Sequence, residues 1–180
     1  VLFRSITYRA VETLSAVSLI AAEDTRHSKK LLNHYGIKRP LISYYEHNRF
    51  TRIPQIITHL NDGKDVALIS DAGTPGISDP AYKLTRAAIT ENITVETIPG
   101  PSAVLAGLIA SGLPTDRFLF EGFLPPKKGR KKRLNALKDE QATIEFYESP
   151  RRLKRTLKDI CDIIGDRPAV VTRELTKMNE

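Results

Sequence analysis

The chain has 180 residues, 41% hydrophobic and 27% charged, enough for one or two globular domains with a real core. It holds no apolar run of the roughly 18 residues that a membrane-spanning helix needs, its opening VLFRSITYRAVETL lacks the pattern of a signal peptide, and its lone Cys161 excludes an intrachain disulfide. These features favour the cytoplasm, and a net charge of +7 with a pI near 9.6 favours a polyanionic partner.

Taken in chain order, short apolar runs alternate with helical patterns. Residues 6–17 read as a helix, and SLIAA (18–22) as a buried strand ending at Glu23 and Asp24. Residues 25–35 read as a helix stopped by Gly36, PLIS (40–43) as a strand, and residues 50–61 as a helix with Ile53, Ile56, Ile57 and Leu60 at helical spacing. DVALIS is a third strand, residues 80–91 a helix, ITVETI (93–98) a fourth strand, and PSAVLAGLIASG a helix rich in small residues. After the turn-rich GLPTDR the pattern restarts: strand FLFEGF, basic loop PPKKGRKK, short helix RLNALKDE, strand ATIEFYE, helix SPRRLKRTLKDICDII and last strand PAVVTREL. The alternation predicts α/β architecture with parallel sheets. A boundary near Pro114 divides it into domains 1–114 and 115–180. In LKDICDIIG, Cys161 reads as a buried free thiol.

Ligands of open α/β sheets lie beyond the carboxyl ends of the strands. Four loops occupy such ends: EDTR (23–26), YYEHNRF (44–50), SDAGTPGISDP (70–80) and PGPSA (99–103). In the third, Asp71 follows the strand directly and suits a cationic or hydroxylated ligand. Gly73 and Gly76 permit positive φ and close backbone approach. Asp79 and Pro80 read instead as the cap and first residue of the next helix. In the fourth, Ser102 opens a helix whose free amides suit an adenine edge or a carboxylate. EDTR reads equally as a helix start capped by Asp24 or Thr25. His47, among Glu46, Asn48 and Arg49, suits a polar site, whereas His34 and His59 read as helix-surface residues. Neither phosphate-loop fingerprint, G-x-x-x-x-G-K-[ST] or G-x-G-x-x-G, is present. The four histidines and Cys161 make no compact metal set, so no metal is expected.

The basic surplus is concentrated. KKGRKKR places six cations in seven positions: Lys127, Lys128, Arg130, Lys131, Lys132 and Arg133. SPRRLKR (149–155) adds four more. Solvated surface is the ordinary explanation of such runs, but two clusters in one third of the chain favour contact with nucleic acid.

The stretches AAEDTRHSKKLLNHYGI, EHN, VALISDAGTPGISDP, IPGPSAVLAGLIASGLPTDRFLFEGFLP, FYESPRRL and RELTK, in this order, resemble signatures of the ribosomal RNA methyltransferases within the tetrapyrrole methylase superfamily. The resemblance implies two α/β domains of tetrapyrrole methylase type with a ligand cleft between them. It implies S-adenosyl-L-methionine as cofactor, a homodimer, and methylation of a cytidine ribose 2′-hydroxyl in the 16S ribosomal RNA of the small subunit. By position, Asp71, Gly73, Thr74, Ser102, Ala103 and Tyr147 fall on the cofactor side. Glu23, Asp24, Arg26, His47 and Asn48 fall on the substrate side. Departures are VLFRS, where the family has a strand and a Pro-Ile-Gly-Asn-Leu loop, Tyr45 and Arg151 where histidine is common, and Ala81 where glycine is usual. The expectation is a chain truncated at both ends, with both domains incomplete.

Methyl transfer from a sulfonium to a ribose hydroxyl needs alignment and a base. Glu23, Asp24 and His47 are the base candidates, and Arg26 is placed to steady developing negative charge. Two rivals remain: a methylase of a tetrapyrrole-like small molecule, and an RNA-binding remnant without catalysis.

Overall fold

The computed structural model describes residues 5–71 and 73–175. The expectations for the opening VLFR, for Ala72 and for the end of RELTK therefore lie outside the described residues. The chain divides into two compact units, Val1–Ser102 and Ala103–Glu180.

The first unit builds a parallel sheet in the order β2-β1-β3 from β1 (Leu19–Ala22), β2 (Leu41–Ser43) and β3 (Val66–Ile69). Strand β1 is central, and its Ile20, Ala21 and Ala22 are wholly buried. This is why SLIAA carries no alternation: both faces of a central parallel strand are covered. Ile20 packs with Leu14, Val17, Leu32 and Ile37 on the side of α1 (Tyr8–Ala16) and α2 (Thr25–His34). Its neighbour Ala21 points the other way, to Tyr44, Ile56 and Leu84 on the side of α3 (Arg49–Asn61) and α4 (Ala81–Thr90). Gly36, at φ +66°, turns the chain out of α2 while the Ile37 amide bonds back to the Leu32 carbonyl, a closure that favours glycine.

The expected strand over 93–98 does not form. Its residues are mostly exposed and carry no ladder to a neighbour, and a strand is stable only when its amides and carbonyls are paired. The segment is fastened instead by side chains: the Thr7 hydroxyl donates to the Pro99 carbonyl (3.3 Å) and Arg9 pairs with Glu96.

The second unit contains α5 (Ala103–Ser111), β4 (Phe118–Phe123), α6 (Arg130–Ala136), β5 (Thr143–Tyr147) and α7 (Leu153–Ile164). Strands β4 and β5 are parallel, with a bulge between Phe120 and Gly122, so α6 is a crossover helix. Leu124, Leu134, Leu137 and Ile164 form the core. The second unit begins with α5. Gly107 of α5 lies so near β5 that a β-carbon there would sit 3.1 Å from Glu145 Oε1.

Three further expectations change in this unit. The final strand does not form, because residues 166–173 are exposed and unladdered. The basic loop is shorter than predicted, since α6 already begins at Arg130. Cys161 is exposed: Ile160, Ile163 and Ile164 take the inward stripe of α7, which leaves position 161 outside.

Candidate functional site

The carboxyl ends of the three strands in the first unit lie side by side, because Ala22 is in register with Ser43 on one flank and Ile69 on the other. The loops that follow are therefore neighbours. The chain leaves β1 towards β2 and then crosses over β1 to reach β3, so the strand order reverses at β1. Such a switch point opens a crevice for ligands.

Asp24 caps α2: its Oδ1 accepts the Arg26 amide at 2.8 Å. The same carboxylate takes the Arg26 guanidinium through Nε (3.2 Å) and Nη2 (3.0 Å). These bonds hold the Asp24 carboxyl at about 2, well below its ordinary 3.8. Asp24 is thus a weak base, and the Arg26 charge is matched locally. Glu23, one residue earlier, stands exposed. Asp71 ties the β3 loop to the β1 loop, its Oδ1 accepting the Asp24 amide at 3.4 Å.

Within SDAGTPGISDP, Gly73 and Gly76 have φ of +76° and +91°, and a β-carbon on either would meet nothing within 4 Å. They serve the backbone path, and open space lies over them. The Thr74 hydroxyl donates to the Pro101 carbonyl (3.3 Å), joining this loop to PGPSA. Asp79 receives the Gly76 amide at 2.9 Å and the Ala81 amide at 2.7 Å, so it organises the turn and the start of α4, although Pro80 occupies the cap position itself. Ser102 directly precedes α5, and Ala103 opens it.

Tyr44 is a residue the sequence reading passed over. It is 2% exposed, its amide bonds to the Ala22 carbonyl (2.8 Å) and its hydroxyl donates to the Pro80 carbonyl (3.0 Å). It fastens the β1, β2 and β3 loops to one another, and burial pushes its phenol up. The signal was its place one residue beyond an apolar strand. Glu23, Tyr44, Ser70, Pro75 and Asp79 line a recess of about 10 Å³, room for roughly one water. That recess is a packed seam beneath the site and not a ligand chamber.

The β2 loop is shaped by Asn48. Its Oδ1 accepts the Tyr45 amide (2.8 Å) and its Nδ2 donates to the Ser43 carbonyl (3.1 Å). His47 is exposed on this turn, edge-on to Tyr45 at 6.3 Å between ring centroids.

In the second unit Tyr147 ends β5, packed against Phe120 (4.9 Å) and Phe123 (5.4 Å). Burial and then the nearby Glu145 push its phenol up. Glu145 was also missed. Burial raises its carboxyl, and its Oε2 is buried without a hydrogen-bond partner.

The KKGRKKR run separates into two kinds of cation. Arg130 is 5% exposed. It donates through Nε to Asp159 (2.7 Å), through Nη2 to the Thr156 hydroxyl (2.7 Å) and through Nη1 to the Pro125 carbonyl (3.3 Å). The Thr156 hydroxyl in turn donates a hydrogen bond to Glu148 (2.6 Å), which also meets Arg152 at 2.8 Å. Burial pushes the Glu148 carboxyl up, but these bonds outweigh it and leave the group below its ordinary value. Arg130 is therefore an internal clamp, and the expectation that it contacts RNA is corrected. Arg133 is paired with Glu121. Lys127, Lys128, Lys131 and Lys132 are exposed.

Among solved structures, a cobalt precorrin-4 methyltransferase superposes with a TM-score of 0.66 at 17% identity, over 91% of this chain and 71% of that one. A diphthine synthase does so with a TM-score of 0.66 at 13% identity, over 88% and 68%. Both likenesses concern the fold. Sequence relatives are nearer. The ribosomal RNA small subunit methyltransferase I of Thermotoga maritima is 50% identical over 97% of this chain and 79% of its own length. That of Mesorhizobium japonicum is 54% identical over 97% of this chain, and that of Bacillus subtilis 50% over 97%. The chain spans 60% of the length of each of these last two. The description Tetrapyrrole (Corrin/Porphyrin) Methylases matches residues 3–180, and with relatives this similar the chain belongs to that family.

Proposed function

We propose that the protein transfers the methyl group of S-adenosyl-L-methionine to the 2′-hydroxyl of a cytidine ribose in 16S ribosomal RNA. The observation that carries this reading is the 50% identity, over 97% of the chain, to the Thermotoga maritima ribosomal RNA small subunit methyltransferase I. The site chemistry supports it. Asp71 and Thr74 offer a carboxylate and a hydroxyl oxygen beside open space over Gly73 and Gly76, acceptors that fit the amine and ribose hydroxyls of the cofactor. Ser102 and Ala103 at the start of α5, and Tyr147 at the end of β5, are the remaining cofactor candidates.

The bound cofactor supplies a methyl carbon activated by a sulfonium. The chain's own residues orient the hydroxyl and accept its proton as the new C–O bond forms and the C–S bond breaks. Glu23 is the base candidate, with His47 the second. Asp24, held by Arg26 and the α2 cap, is a positioning residue that fixes the loop beside Glu23. Holding the reactants in line supplies up to roughly 7–11 kcal/mol of a barrier reduction in favourable cases. The same reading includes a homodimer acting on the small ribosomal subunit in the cytoplasm. Among the described residues, no helix is long and apolar enough to cross a membrane.

Titration calorimetry with S-adenosyl-L-methionine, followed by tritium transfer from the labelled cofactor into 30S subunits, tests the reading. Binding heat with label in the RNA is expected. Binding without transfer removes the RNA substrate, and neither signal leaves the RNA-binding remnant.

A further inference from the structure

We infer that the outward face of α7, together with the lysines of the 127–132 run, forms one surface for the phosphate backbone of structured RNA, with Arg130 as its internal support. This rests on the ribosomal RNA reading above and names the surface that such a substrate meets.

The two basic segments lie far apart in sequence, and one carboxylate joins them. Asp159 of α7 receives Arg130 from α6 at 2.7 Å and Arg155 from its own helix at 3.8 Å. Arg130, Thr156 and Glu148 extend that junction into the interior. Around α7, Thr156, Ile160, Ile163 and Ile164 turn inward. Arg151, Lys154, Arg155 and Lys158 are all exposed; the three- and four-residue spacing of Lys154, Arg155 and Lys158 puts them on one stripe of α7, and Arg151 lies in the turn just before it. At about 1.5 Å per residue the helical part of the stripe runs roughly 6 Å, and Arg151 extends the cationic surface beyond the first turn. Asp162 is the exposed acid at its far end.

The arrangement works against folding. Cations at the start of a helix oppose its dipole, and the first turn of α7 contains no acid to offset them. Three other arginines of the same unit are each matched by a carboxylate: Arg130 with Asp159, Arg133 with Glu121 and Arg152 with Glu148. A local conflict of this kind, left on the surface beside arginines that do have acidic partners, is the pattern expected where a ligand supplies the missing anions.

The test is binding to in vitro transcribed 16S ribosomal RNA across a potassium chloride series. The Arg151→Ala/Lys154→Ala/Lys158→Ala variant is compared with a control that removes equal charge from the first unit, Lys38→Ala/Lys64→Ala/Arg86→Ala. Each lost phosphate contact lowers the salt slope by about 1. The α7 variant is therefore expected to lose about two to three from the slope and at least tenfold in affinity, with the control near wild type. Heat of S-adenosyl-L-methionine binding and the urea midpoint should not change in either variant. Equal losses in both variants, or wild-type binding by the α7 variant, would overturn the inference while leaving the methyltransfer reading intact. Failure of the wild-type protein to bind the RNA would sink both.

Discussion

Replacing Arg130 by methionine keeps the apolar stem and removes the charge from a site that is 5% exposed. Glu148, whose side chain is 6% exposed, and Asp159, at 29%, then lose a partner at 3.9 Å and 2.7 Å, and Thr156 loses its donor. Breaking a buried pair by deleting one member typically costs about 3–5 kcal/mol, because the remaining charge is left uncompensated. Glu148 retains Arg152 at 2.8 Å and Asp159 is partly solvated, so the lower end applies, about 3 kcal/mol. For a chain of this length that lowers the melting midpoint by roughly 6–12 °C. Urea unfolding followed by circular dichroism measures it, with Lys131→Ala as the surface comparison, expected within about 0.5 kcal/mol of wild type. Adding Glu148→Gln and Asp159→Asn should restore most of the loss, since the charges that need Arg130 are then gone. A loss below about 1 kcal/mol for the methionine variant would refute the clamp and return Arg130 to the basic surface.

Three other outcomes follow from the geometry. Asp24 is depressed to about 2 in the folded chain against an ordinary 3.8. Its contribution is thus full above pH 3.8 and disappears as pH falls towards 2; Asp24→Asn, which retains the cap, should flatten that limb of an acid-unfolding curve. Glu145 has the opposite sign, its carboxyl raised by burial above the ordinary 4.5. Wild type therefore loses stability as pH rises through that region, and Glu145→Gln should match wild type in acid and exceed it at neutral pH; a pH-independent difference would contradict the burial argument. Tyr44→Phe removes the bond to the Pro80 carbonyl and should cost about 1 kcal/mol, while raising hydrogen exchange in the β3 loop more than in α7.

Most of the architecture was legible because periodicity reports burial. Strand β1 is apolar without alternation as it lies between two helical layers, and α2 announces its own start in Asp24 and its stop in Gly36. Two expected strands failed for a common reason. ITVETI and PAVVTREL have strand-like composition, but a strand exists through its neighbour, and neither segment pairs with one among the described residues. Cys161 was misjudged since helix phase, not residue type, decides which side faces the core. At the site, the neighbourhood of EDTR and SDAGTPG could be read from the order of strands and loops, whereas PGPSA follows a segment that forms no strand and is joined to them by the Thr74 hydroxyl. The division of labour inside it could not. Whether a carboxylate is a base or a cap depends on what donates to it, as the different settings of Glu23 and Asp24 illustrate. Likewise nothing in KKGRKKR distinguishes Arg130 from its neighbours: its partners, Thr156 and Asp159, lie on another helix.

The most direct measurement is mass spectrometry of nucleosides from 16S ribosomal RNA after incubation of unmethylated 30S subunits with the protein and S-adenosyl-L-methionine. The expected product is 2′-O-methylcytidine, abolished by Asp71→Asn through lost cofactor binding and reduced at least tenfold in turnover by Glu23→Gln with cofactor affinity retained. A methyl group on a base atom, or RNA left unmodified while the cofactor binds, would contradict the proposed reaction.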